Sequence, residues 1–151
     1  MKRMLTVFTL LFFFSVANAQ QPAQKDAWKN TRDGNQSFKA GNFVQAEKHY
    51  REAVHSDTNK VVANYNLGNS LYRQRKYDDA SRAYADGLNT KNADSLAKGY
   101  HNLGNALLQE KKYQESINAY KQSLKLNPKD ENTRYNLAYA ESKLKQNQPP
   151  P

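Results

Sequence analysis

The chain has 151 residues, enough for one domain of ordinary size, and carries 23 Lys and Arg against 14 Asp and Glu, a net charge of +9. It contains no cysteine, which excludes disulfides, thiolate metal sites, cysteine nucleophiles and lipidation on an amino-terminal cysteine. The basic excess favours acidic partners, anionic headgroups or nucleic acid, but no five or six cations run together, so a solvated surface is the preferred reading.

The first stretch, MKRMLTVFTLLFFFSVANAQ, differs from all that follows. Lys2 and Arg3 open it, Met4 to Val16 is apolar, and Ala17-Asn18-Ala19 is a small-x-small site, so residues 1–19 read as a cleavable secretory signal peptide. The thirteen residues from Met4 to Val16 make roughly 20 Å of helix against a hydrocarbon core of about 30 Å, so a permanent span is the weaker reading. The expected product is periplasmic and begins at Gln20; a chain without cysteine needs no oxidation to fold there. Residues 20–26 are polar, contain Pro22, and are expected to form a flexible lead-in.

From residue 27 one pattern recurs, clearest in residues 64–88, NYNLGNSLYRQRKYDDASRAYADGL. Leu67, Leu71 and Tyr72, then Tyr77, Ala80, Ala83, Tyr84 and Leu88 fall at steps of three and four, which predicts two amphipathic helices joined by a turn near Arg75-Lys76. Gly68 and Ala80 stand where two antiparallel helices must cross closely. The pattern repeats 34 residues earlier at Gly34, Phe43, Ala46 and Tyr50, and 36 residues later at Gly104, Tyr113, Ser116 and Tyr120. The predicted organisation is repeat one over 27–60, repeat two over 61–94, repeat three over 97–130, a capping helix over 131–146 with Leu137 and Leu144 on one face, and a Gln/Pro-biased tail over 147–151. The two extra residues of the longer step are assigned to a connector around Ala93 to Leu96. Repeat one departs most: Asn30 and Asp33 replace bulky residues, and Trp28, two places early, is expected to cap the open end of the core rather than to stand exposed.

No catalytic constellation is present. His49, His55 and His101 have no metal-ligand spacing, and there is no GxSxG, HExxH or glycine-rich phosphate loop. Asp78-Asp79 read as first-turn acids that complement a helix dipole. A non-enzyme without cofactor or metal is expected, and binding remains.

The period and the pattern NLGN…Y…A/S…Y…NP are similar to the tetratricopeptide repeat (TPR). The resemblance implies an all-α, right-handed superhelical solenoid whose first helices line a concave face. On that face stand Arg32, Asn35, Asn66, Asn69, Lys98, Asn102, Asn105 and Asn136, an expected partner-binding groove in which each amide offers a donor and an acceptor to an extended peptide. Replacing Asn66 and Asn102 is expected to weaken binding while leaving the fold intact. Some TPR domains clamp a chaperone carboxy-terminus with five residues; Asn35, Asn66 and Lys98 match, whereas Thr31 and Asn102 replace the clamp's first lysine and final arginine.

The chain also resembles the BatC family, the TPR protein of the Bacteroides aerotolerance (Bat) operon. The resemblance rests on the signal ending Ala19-Gln20, on Arg32-Asp33-Gly34-Asn35, on Gly99-Tyr100-His101-Asn102-Leu103-Gly104-Asn105 after the lengthened step, and on Thr133-Arg134-Tyr135-Asn136-Leu137-Ala138-Tyr139-Ala140 before the biased end. It implies a periplasmic adaptor beside membrane-anchored von Willebrand A domain proteins, linked to oxidative-stress tolerance. Nucleic acid is not an expected partner of an exported chain. Peripheral membrane association stays open, as does an accessory role in binding anionic glycan or lipid.

Overall fold

The structure is a computed structural model that describes residues 25–56 and 60–147. The expected signal peptide and most of the tail lie outside the described residues. Within them are seven helices and no strand: α1 (25–39), α2 (Phe43–Ser56), α3 (Val61–Arg73), α4 (Tyr77–Asp86), α5 (Ala93–Gln109), α6 (Tyr113–Leu126) and α7 (Glu131–Gln146). From α2 onward each helix packs on the next, and α5 also touches α7, which is the contact pattern of a stacked solenoid. Among the described residues no helix is long and apolar enough to cross a membrane.

The turns within the helix pairs share one construction. Residues 41, 75 and 111 all take positive φ (79°, 62° and 61°), and the next amides, of Asn42, Lys76 and Lys112, donate to the carbonyls of Ser37, Leu71 and Leu107 at 2.9–3.0 Å. This six-to-one bond closes each first helix with a left-handed residue. Gly41 takes that conformation freely; Arg75 and Lys111 take it against the steric preference of a side chain.

Small residues let the helices cross. Ala46, Ala80 and Ser116, one per repeat, are fully buried, and the Ser116 hydroxyl donates to the Gly104 carbonyl at 2.8 Å. Around them Tyr50, Leu67, Leu71, Ala83, Tyr84 and Ala106 form one core, and Ile117, Tyr120 and Ala140 a second, against which Leu137 and Leu144 of α7 pack.

Three local expectations change. The residues assigned to a longer connector are helical, because Asn92 caps α5 by accepting from the Ser95 amide at 2.8 Å and Asp94 sits in the first turn. Helix α1 is already formed at Lys25, which takes the last two residues of the lead-in. Trp28 does not cap the core. It is 76% exposed while Ala27 beside it is buried, so Ala27 is the residue this turn of α1 turns inward.

Candidate interaction groove

One unit recurs along the first helices. A Cβ on Gly34, Gly68 or Gly104 would come within 2.5–2.6 Å of the ring of Tyr50, Tyr84 or Tyr120, so glycine is what lets each ring lie against the neighbouring backbone. Each phenol then reaches the asparagine one residue beyond the glycine: Tyr50 donates to Asn35 Oδ1 at 2.8 Å, Tyr84 to Asn69 at 2.9 Å and Tyr120 to Asn105 at 2.7 Å. Burial pushes the Tyr50 phenol up to about 12 and raises Tyr84 and Tyr120 as well, so all three remain protonated donors at ordinary pH.

The same oxygens accept a second bond from the next first helix. Asn66 Nδ2 donates to Asn35 at 3.3 Å, Asn102 to Asn69 at 3.3 Å and Asn136 to Asn105 at 2.9 Å, and Asn102 also donates to the Tyr65 hydroxyl at 3.0 Å. The six amides therefore form a ladder across α1, α3, α5 and α7. Asn35, Asn69 and Asn105 commit their oxygens and, among the described residues, leave Nδ2 without a partner. Asn66, Asn102 and Asn136 commit Nδ2 and keep an oxygen. Loss of the Asn66 and Asn102 amides would open bonds between repeats, which corrects the expectation that the fold would not notice.

The other predicted residues flank this ladder. Arg32 is exposed and touches Asp33 at 3.4 Å; Lys98 is exposed. Asn35, Asn66 and Asn69 line one recess with Phe38, Lys39 and Tyr50, and Lys98 lines another with Val62 and Tyr65. The structure thus gathers all six asparagines into one line and leaves Arg32 and Lys98 at its margin.

Sequence reasoning missed two features. The tyrosine hydroxyls were signalled by a Tyr sixteen residues after each glycine of Gly-Asn, at 34/50, 68/84 and 104/120. The second is a relay from α5 to α7: His101 Nδ1 lies 2.6 Å from Thr133 Oγ1, whose hydroxyl donates to Asp130 Oδ2 at 2.7 Å, while Asp130 Oδ1 caps α7 by accepting from the Thr133 amide at 3.1 Å. Because Thr133 uses its proton on Asp130, Nδ1 of His101 is the donor. Burial pulls the His101 pKa down, opposed by the Asp130 charge, and the Thr133 hydrogen bonds hold Asp130 low against its own burial.

Two TPR family profiles match the chain, over residues 37–100 and 97–130. The chain is a tetratricopeptide-repeat protein. No curated protein matches it by sequence. Similar solved structures include the second TPR domain of human RPAP3 in complex with an HSP70 peptide, at 18% identity, TM-score 0.73, and coverage of 79% of this chain and 98% of that one. The first TPR of Spaghetti (RPAP3) bound to the HSP90 peptide SRMEEVD is similar at 21% identity, TM-score 0.74, and coverage of 81% and 95%. MamA is similar at 20% identity and TM-score 0.73, over 80% of this chain and 64% of that one. At these identities the likeness is one of fold.

Proposed function

We propose that this TPR protein is a non-catalytic adaptor that holds an extended segment of a partner protein along its first helices. The observation that carries the reading is the half-committed ladder: each amide is fixed through either its oxygen or its nitrogen and keeps the other group for a main chain lying across it. Two proteins of the same fold hold chaperone peptides, which supports a peptide as the occupant.

The test uses Asn69→Asp with Asn105→Asp. A carboxylate oxygen still accepts from Tyr84 and Asn102, or from Tyr120 and Asn136, so the ladder stays, but the amide donor facing the groove is gone. Each lost donor should weaken partner capture by about two- to twelvefold, with the melting temperature nearly unchanged. Capture that survives both changes would place the contact elsewhere.

The setting we propose is the bacterial periplasm, beside membrane-anchored von Willebrand A domain proteins and in the service of oxidative-stress tolerance. It is supported by the signal-like residues 1–19 and the BatC resemblance. Mass spectrometry of the native protein should find a soluble chain starting at Gln20; Met1 retained in the membrane fraction overturns export. Partner capture from envelope extract that collapses steeply with salt would point instead to anionic glycan or lipid.

A further inference from the structure

The groove has two unlike edges. On the side of the helix C-termini, repeat-equivalent positions 39, 73, 109 and 143 are Lys, Arg, Gln and Lys. Among the described residues Lys39, Arg73 and Lys143 form no ion pair; Arg73 lies 4.4 Å over the Phe43 ring and Lys143 5.3 Å over Tyr139. Several other cations are paired: Arg51 and Lys76 by Glu47, Arg82 by Asp78 and Asp79, and Lys112 by Glu110. On the side of the helix N-termini the edge is largely apolar and aromatic: Trp28 is 76% exposed, Val62 61% and Tyr135 73%, with Tyr65 between them and Lys98 and Asn132 as polar interruptions. No groove-facing position on either edge or in the ladder carries a carboxylate.

An extended segment lying along the ladder sends successive side chains to opposite sides, because its side-chain period is two. Odd residues would face one edge and even residues the other. Each edge runs past all the first helices, so this sorting needs no register between peptide and repeats. Unpaired cations favour carboxylates, and exposed Trp, Val and Tyr favour apolar side chains.

We propose that the occupant is an internal, extended segment in which acidic and apolar residues alternate. This rests on the groove reading above and names its ligand class. Recognition of a free carboxy-terminus is a different arrangement, because here the acidic preference comes from three cations spread along one edge of the groove.

The test measures binding of fluorescent peptides of about ten residues, capped at both ends and long enough to cross all four first helices at 8–10 Å spacing. Alternating Val-Glu should bind about tenfold more tightly than a block peptide of the same composition and than alternating Val-Lys or Val-Thr. Lys39→Gln with Lys143→Gln should weaken Val-Glu and flatten its salt dependence, whereas Val62→Ser should weaken it without changing the salt slope. Equal affinity for alternating and block peptides, or for Val-Thr and Val-Glu, overturns the inference while leaving the groove reading in place. Binding only by an uncapped Val-Glu peptide overturns it in favour of terminus recognition. If no peptide of any pattern binds, both readings fall together.

Discussion

Gly68 shows how one missing methyl group sets the geometry of a repeat. Its absent Cβ would meet the Tyr84 ring at 2.6 Å, and that ring is buried, with its hydroxyl held by Asn69, the residue next to the glycine on the same helix. Gly68→Ala should therefore destabilise the protein by about 1–3 kcal/mol through overpacking, despite alanine's better helix propensity. Denaturant unfolding measures this; an unchanged midpoint would mean that Tyr84 moves aside freely. The glycine was legible in the sequence, since a small residue at a predicted crossing has few other uses. The hydroxyl bond was not. Periodicity reports that one face of Tyr84 is buried, and says nothing of whether the phenol reaches through to the far side. Trp28 failed for a related reason: a large apolar residue is expected inside, but its place on the helix faces the groove and solvent.

At the scale of helices, the turns and the caps decide. Arg75 and Lys111 repeat the backbone conformation that Gly41 adopts without penalty, and their side chains are exposed. Arg75→Gly and Lys111→Gly should each stabilise the protein by about 0.5–1 kcal/mol, read as a higher melting temperature. A fall would mean that those side chains make contacts worth more than the strain. The sequence hid these positions because nothing marks an arginine as left-handed except alignment with Gly41. Helix α7 carries a different signal. His101 has its pKa lowered from 6.5, so its neutral form is the one that folding favours. Its contribution to stability is full above pH 6.5 and is lost as the pH falls through the lower folded value. Asp130 and Tyr120 are the titratable groups beside it; Asp130 is held low and Tyr120 high, so neither titrates in that window. The wild type should lose more melting temperature than His101→Gln on acidification from about pH 7.5 to 5.5. Parallel losses would mean that the histidine is not a source of the pH dependence.

For the whole molecule, the ladder makes neighbours depend on one another. The solenoid class was readable from the period alone, since a helix pair this short needs copies beside it to bury its apolar stripe. What periodicity could not carry is the second set of inter-repeat contacts, polar and on the opposite side of the first helices from the core. Asn66→Ala with Asn102→Ala removes two of its three rungs and should cost roughly 1–3 kcal/mol. It should also broaden unfolding, because repeats less tightly coupled melt less cooperatively. Unfolding as steep as in the wild type would assign the coupling to the apolar core alone.

The rungs also all point the same way. Every Nδ2 donates toward the repeat before it, from Asn66 to Asn35, Asn102 to Asn69 and Asn136 to Asn105, and no rung runs in reverse. A line of aligned amide dipoles is a vector, so the two ends of the groove are chemically distinct even where the side chains repeat. A chain threaded from α1 to α7 and the same chain threaded backwards meet donors and acceptors in opposite order. A partner bound as proposed would therefore have its head and tail assigned, and whatever lies beyond either end of the bound segment would be delivered to a fixed side of the protein.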